Sequence, residues 1–404
     1  MTTPHAATPS TATDCIWIHS QSQLADYCSS LREAGAFGFD TEFIGERTYI
    51  PELCLIQVCS ASDVALIDPL AIDDLSPLGH LMSDPNLAKY CHAGSQDIAI
   101  MHECGYTPAN VFDTQLMAGL LGLTYPISYA KVVEHICGIQ LDKAHTYSAW
   151  DRRPLAKAQL IYAADDVRYL PTVFEHLRRR IESCGRTGWM HELCHEELQH
   201  AIAPPNTRDL WLKLKAPRSM SRLQLGVLRE ITAWRHQLAY EHDTPVRAFL
   251  SDSAIRDIAK MMPQTVPQLA RIEGISEEEL KSYGAFIIEL IEKVRQMPAN
   301  QLPELAMEPR DSLEASQFIE RVWAAAQAIC LGQNVSTSLV TSQAAITDWA
   351  MKKLAGESLE EHELMHGWRR ECLGQPLDDV VAGRTTLTLA MNNHTLNTSI
   401  QTGN

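Results

Sequence analysis

No run of apolar residues in this 404-residue sequence approaches the roughly 20 that a membrane-spanning helix requires. A paired-cysteine framework is also missing: the eleven cysteines are scattered and odd in number. That excludes a disulfide-stapled domain and points to reduced thiols in a cytoplasmic compartment. Positive charge is scarce, with 34 Lys and Arg against 50 Asp and Glu and a formal net charge of −16. Such a balance argues against a general polyanion-binding surface. It leaves room for a local basic track, and it suits a protein that gathers acid around cations. The stretch Met1 to Asp14 lacks an apolar core and is rich in Thr, Ala, Pro and Ser. It reads as a disordered leader, not a signal peptide. What remains is the composition of a soluble globular protein, 45% hydrophobic and 21% charged, long enough for two or three domains.

The chain is organised around Phe39-Asp40-Thr41-Glu42-Phe43. An apolar run bounded by Gly35 reads as a buried strand, and its alternation puts Asp40 and Glu42 on one face with Thr41 on the other. Two carboxylates on one face of a core strand repel each other and are costly to desolvate. A metal cation relieves both problems; an acidic, solvated strand end is the plainer alternative. Downstream, Leu53 to Val58 and Asp63 to Ile67 are short β-rich runs joined by the polar Cys59-Ser60-Ala61-Ser62. With the first strand they form an antiparallel meander. Helical and strand patterns then alternate: a helix over Ile72 to Met82, a strand over Leu87 to Cys91, and a helix over Ser95 to Cys104 with Ser95 as N-cap. A strand at Val111-Phe112 and a helix from Thr114 follow. The pattern predicts an α/β domain with a mixed sheet and helices on its faces.

Asp97 falls in the first turn of its helix, where it is either a dipole-stabilised cap or a third metal carboxylate. Tyr162 and Asp166 are four apart on a helical pattern and share one face. They are either a core Tyr with an acidic neighbour, or a ligand beside a hydroxyl that orients water.

Asp40-x-Glu42, Asp97 within His-Ala-Gly-Ser-Gln-Asp, and Tyr162-x-x-x-Asp166 together resemble the three motifs of DEDD-superfamily 3′–5′ exonucleases, in the Tyr-type branch. Ile161 stands where the His-type branch carries its His. The resemblance is closer to bacterial ribonuclease D. It covers Arg47-Thr48-Tyr49, Leu55-Ile56-Gln57, Asp113-Thr114-Gln115, Leu141-Asp142-Lys143 and Trp150-Asp151-Arg152-Arg153-Pro154-Leu155, and so most of residues 36–175. One departure is Ala149, where the family usually has an Asp. The resemblance implies a ribonuclease H-like exonuclease domain and two-metal phosphodiester hydrolysis. Asp40, Glu42, Asp97 and Asp166 would hold two divalent cations, Mg²⁺ or Mn²⁺, Asp40 touching both, and Tyr162 would orient the attacking water. Phe43 and His92 are candidates for contacting the terminal nucleotide, with core or capping roles equally open, and Arg152 is a further substrate candidate. The expected partner is RNA with a free 3′ end, above all tRNA precursors and other small structured RNAs, handled by a monomer. The same chemistry on DNA is the alternative, since no carboxylate reads a 2′-OH.

Residues 207–235 carry seven Lys or Arg against two acids. Lys213, Lys215, Arg218 and Arg222 are candidates for a phosphate track. The pattern from Leu225 to Ile275 resembles an HRDC domain, a small helical bundle, and residues 311–383 resemble a second, divergent one. The expected layout is a leader at 1–14, the exonuclease domain at 15–180 and a linker at 181–206. Two all-α bundles at 207–297 and 298–383 follow, with a disordered tail at 384–404.

Other classes compete. His-Glu-x-x-His, the zinc-protease signature, occurs at His191–His195 and His362–His366. Two copies in unrelated contexts, without a third ligand at a family spacing, point to chance. A catalytically silent nucleic-acid scaffold predicts a broken carboxylate set, and this one is complete.

Overall fold

The computed structural model describes residues 15–141, 149–204, 206–214, 219–303, 312–392 and 395–402. The expected leader at 1–14 lies outside them, as do Asp142, Lys143, Lys215 and Arg218. The chain forms two compact units: Met1–Glu42 with Leu53–Ile202 and Pro309–Asn404, and Phe43–Glu52 with Ala203–Glu308.

The first unit opens with β1 (Ile16–Ile18) and α1 (Gln21–Ala34). Neither element was expected from the sequence, because a three-residue strand is too short to show a period. The helix is nonetheless well marked: the Ser20 side chain accepts from Gln23 N, and Gly35 ends it at φ 74°. There follow β2 (Ala36–Ile44), β3 (Glu52–Cys59), β4 (Val64–Ile67), α2 (Ser76–Ser83), β5 (Ala88–Cys91), α3 (Ser95–Glu103) and β6 (Val111–Asp113). Next come α4 (Thr114–Gly119), α5 (Tyr129–Cys137), α6 (Lys157–Arg168), α7 (Leu170–Ser183) and α8 (Thr187–Ile202).

The sheet order is β1-β4-β3-β2-β5-β6. β3 and β4 are antiparallel, with Ile56 opposite Ile67, while β1–β4, β2–β5 and β5–β6 are parallel. The sheet is therefore mixed, as the pattern predicted. On β2, Phe37 and Phe39 are fully buried in one core, which turns the alternate residues Gly38, Asp40 and Glu42 to the other face. Gly38 admits no larger residue, because a Cβ there would strike Cys59 Sγ and the Tyr90 ring.

The stretch expected to be a linker, 181–206, is mostly α8. Its Met190, Leu193, Cys194 and Leu198 are buried, at the spacing of one helical face. That apolar stripe outweighs the nearby Arg run and the prolines that suggested a break.

The second unit is a helical bundle. A 3₁₀ turn at Leu210–Leu214 leads to α9 (Arg222–Glu241), α10 (Asp252–Met261), α11 (Val266–Leu269) and α12 (Glu277–Arg295). Capping boxes at Ser221–Gln224 and Ser276–Glu279 start α9 and α12. The core includes Trp211, Leu228, Ile255, Ile258, Ile287 and Ile291. Residues 43–52 belong to this unit, and Asp243 accepts from the Tyr49 and Ile50 amides at 3.1 Å each.

The rest of the chain rejoins the first unit. It comprises α13 (Leu313–Gly332), α14 (Thr337–Val340), α15 (Gln343–Ala355), α16 (Gly367–Arg369), a π-helical turn at Arg370–Gly374 and α17 (Gln375–Val381). Its Val322, Ile329, Trp349 and Trp368 share one core with Phe112, Met117, Val133 and Phe174. Arg186 Nη1 donates to Leu120 O at 2.7 Å, and its other terminal nitrogen bonds Gln333 O. The tail, expected to be disordered, forms an antiparallel hairpin of β7 (Thr385–Asn392) and β8 (Thr395–Thr402). Alternating Thr and Leu explain it, since β-branched residues at period two favour strand.

The two His-Glu-x-x-His segments meet in this core through Glu192 and the residues that follow His366. Glu192 Oε1 and Oε2 both accept from Trp368 N at 3.1 Å, capping the segment that follows the second motif. His362 is buried, its Nδ1 accepting from Leu364 N at 3.1 Å and its Nε2 lying 3.1 Å from Ala345 O. Residues 363–365 form a 3₁₀ turn, so the second pair of His does not share an α-helical face. Gly367 has φ 49°, and a Cβ there would run into the Glu192 carboxylate. Gly367→Ala should therefore cost about 1–3 kcal/mol in urea unfolding, by strain and by displacing the cap. A loss below a few tenths of that would show the cap is dispensable.

Candidate active site

Three elements bring the acidic residues together. The second half of β2 carries Asp40 and Glu42, the first turn of α3 carries Asp97, and α6 carries Tyr162 and Asp166. A cavity of about 140 Å³ is lined by Phe39, Asp40, Glu42, His92, Tyr129, Tyr162, Asp166 and Leu170. Larger grooves exist, one of about 560 Å³ beside α7, but none gathers these carboxylates.

Asp97 is not among the residues that line the cavity and is only 6% exposed. Its Oδ1 accepts from Thr41 N at 2.9 Å and from the Thr41 hydroxyl. The residue between Asp40 and Glu42 thus clamps the third carboxylate, a function its place in the motif did not reveal. The loop feeding α3 is held in turn by Asp113, whose carboxylate accepts from Ala93 N (3.0 Å), Gly94 N (2.9 Å) and Gln115 N (2.7 Å). Gly94 is the N-cap of α3 and Ser95 its first helical residue, so Ser95 does not cap as expected. On α6, the Tyr162 hydroxyl bonds the Asp166 carboxylate, and its ring lies 6.2 Å from that of the buried Trp150.

The electrostatics follow from crowding. Burial first, then the charges of Asp97, Asp166 and Glu42, hold the Asp40 carboxyl well above the usual carboxylate range. Burial, then Asp166 and Asp97, pushes Glu42 up to about 8. Burial also raises Asp166 to about 7, opposed by the Tyr162 hydrogen bond and aided by Asp165 and Asp97. Asp97 rises to about 6, burial outweighing the Thr41 hydroxyl and amide bonds that favour its ionised form. As they stand, no three His, Cys, Asp or Glu groups among the described residues close into a metal cage. A cluster of hard oxygen donors without a countercharge is the donor set of a hard divalent cation.

Comparison with known proteins agrees. A family described as 3′-5′ exonuclease matches residues 15–182, and the HRDC domain family matches residues 224–291. The ribonuclease D of Gluconacetobacter diazotrophicus is 35% identical over 93% of this chain and 94% of its own. That of Escherichia coli K12 is 30% identical over 90% of this chain and 97% of its own. The chain belongs to the ribonuclease D family. The crystal structure of Escherichia coli RNase D, described as an exoribonuclease involved in structured RNA processing, superposes with a TM-score of 0.77 at 28% identity. It covers 92% of this chain and 99% of that one. As a ribonuclease D, the protein is a 3′–5′ exoribonuclease with an exonuclease domain, an HRDC domain and a helical C-terminal region.

The ribonuclease D fold disposes the other candidate residues variously. His92 lines the cavity, but its Nε2 donates to Ile127 O at 2.9 Å and its Nδ1 meets the Thr114 hydroxyl at 2.9 Å. Burial holds this ring below the usual imidazole pKa, and both of its nitrogens are engaged. Only its carbon edge and face remain for a nucleotide. Phe43 lies at the outer end of β2 and does not line the cavity. Arg152 is exposed; its neighbour Arg153 is the engaged arginine, with 2.7 Å bonds to both Asp68 oxygens and one to Trp150 O. Lys213 and Arg222 belong to the second unit, where Lys213 is exposed and Arg222 Nη2 donates to Ala299 O and Leu302 O. Tyr129 joins the lining unforeseen, its hydroxyl accepting from Tyr169 N at 3.2 Å. No helix among the described residues is long and apolar enough to cross a membrane.

Proposed function

We propose that Asp40, Glu42, Asp97 and Asp166 hold two divalent cations, Mg²⁺ or Mn²⁺, and that the protein trims the 3′ ends of tRNA precursors and other small structured RNAs, releasing 5′-mononucleotides. The observation that carries this reading is the convergence of three carboxylates, Asp40, Glu42 and Asp166, on one small cavity beside a tyrosine bonded to one of them, with Asp97 near enough to act on all three and each of the four raised by burial. When bound, such ions neutralise charge on the phosphodiester and lower the pKa of the attacking water. The chain's own groups supply position. The Tyr162 hydroxyl donates to Asp166, and its oxygen would accept from that water and aim it. Thr41 fixes the Asp97 carboxylate, and Phe39, Leu170 and the His92 ring wall the cavity. All eleven cysteines are free, as a reducing cytoplasm would leave them. We take the acting form to be a monomer.

RNA and DNA labelled at the 3′ or the 5′ end, with Mg²⁺, Mn²⁺ or EDTA, test the reading. Stepwise 5′-mononucleotide release from RNA, abolished by EDTA, is expected; internal cuts or activity surviving EDTA would sink it. Equal rates on DNA would remove the RNA preference. Tyr162→Phe should lower kcat by about 10²-fold and leave KM for a short RNA unchanged.

A further inference from the structure

The groove of about 560 Å³ beside α7 is lined by Pro171, Thr172, Glu175, His176, Arg179 and Arg180, with Ala61 of the β3–β4 connector. It shares no lining residue with the catalytic cavity, but both are lined from the start of α7. Leu170, the first residue of α7, lines that cavity, and the next two residues line the groove. Arg179 and Arg180 stand nine and ten residues further on, roughly 14–15 Å along the helix. The groove's acid is already committed: Glu175 pairs with Arg178 at 2.9 Å and with Arg179 at 2.5 Å. Glu182 pairs with Arg178 at 3.3 Å. Arg180 has no acidic partner among the described residues and is exposed, and the Arg179 side chain is 74% exposed. His176 lies close enough to Arg180 and to His135 of α5 that their charges, after burial, lower its pKa. Arginines at a helix C-terminus complement the dipole without further purpose. A dipole role, however, requires neither an open groove nor a cation such as Arg180 left without an acidic partner in a chain of net charge −16.

We propose that this groove is a second RNA-contact site, taking the phosphodiester backbone of single-stranded nucleotides upstream of the scissile bond. The proposal rests on the exoribonuclease reading of the cavity. An RNA with its 3′ end at Asp40 and its upstream nucleotides along α7 passes its phosphates in front of Arg179 and Arg180.

The test compares the full-length protein with Arg180→Gln, which breaks no ion pair, and with the Arg179→Gln/Arg180→Gln double variant. Each is assayed on a long single-stranded oligoadenylate and on a trinucleotide too short to reach Arg179 and Arg180. For the long RNA, the double variant should raise KM about five- to tenfold and flatten its dependence on log salt by about one. Its kcat, and all kinetics on the trinucleotide, should be unchanged. An unchanged KM and salt slope on long RNA would overturn the proposal. So would an equal loss on the trinucleotide, or a loss that follows melting temperature. Should the unaltered protein hydrolyse neither RNA, the reading of the cavity itself would fall first.

Discussion

Asp40→Asn should abolish turnover while raising the melting temperature of the metal-free protein at pH 8. Both effects come from one feature: Asp40 has three acidic neighbours, Asp97, Asp166 and Glu42, whereas Glu42 is raised by two, Asp166 and Asp97. Without cations, the Asp40 charge is the one most opposed by its surroundings. A neutral amide of the same shape removes that repulsion and leaves the packing of Phe37 and Phe39 untouched. With cations, the same site loses its central donor. Losing several kcal/mol of transition-state stabilisation corresponds to at least about 10³-fold in rate. Glu42→Gln should be the milder change in both assays. Single-turnover hydrolysis of 5′-labelled RNA measures the first effect and thermal melting in EDTA the second. Turnover within tenfold of the unaltered protein would remove Asp40 from the site, whatever the melting temperature did.

The parts of this site legible in the sequence are those governed by local periodicity. Strand alternation separates Asp40 and Glu42 from Thr41, and the four-residue spacing of Tyr162 and Asp166 puts them on one helical face. Position alone could not decide whether Asp97 was a cap or a ligand; its 6% exposure and its bond to Thr41 come from a packing of α3 against β2 that no local pattern encodes. The same holds for Asp113, which organises the loop ahead of α3 from twenty residues away. The misread linker differs in kind. Met190, Leu193, Cys194 and Leu198 do carry a helical stripe, but the arginines before it and the Pro204-Pro205 pair after it are equally the marks of a break. The return of the C-terminal helices to the exonuclease core was beyond reach, because Arg186 to Gln333 and Glu192 to Trp368 are contacts across well over a hundred residues.

Removing divalent ions should abolish activity and also make the protein less stable as pH rises from 6.5 to 8. In the folded, metal-free protein Glu42 holds its proton to about 8 instead of 4.5, and Asp166 to about 7 instead of 3.8. Asp40 is raised in the same direction. The folded state therefore binds more protons than the unfolded chain until pH passes the raised values, and stability falls with pH across that interval. Below pH 6.5 the trend is blurred by His236, lowered from 6.5 to about 4, whose sign is opposite. Above pH 8 the buried Lys89, lowered to about 8, likewise opposes it. Between those limits the carboxylates act nearly alone. Cation binding requires them ionised and removes their repulsion, so the gain in melting temperature on adding Mn²⁺ or Mg²⁺ should be larger at pH 8 than at pH 6.5. In Asp40→Asn both the pH slope in EDTA and the gain from metal should shrink. A metal-free melting temperature that is flat or rising from pH 6.5 to 8, or a metal gain independent of pH, would mean that these carboxyls are not crowded as drawn and do not form the cation site.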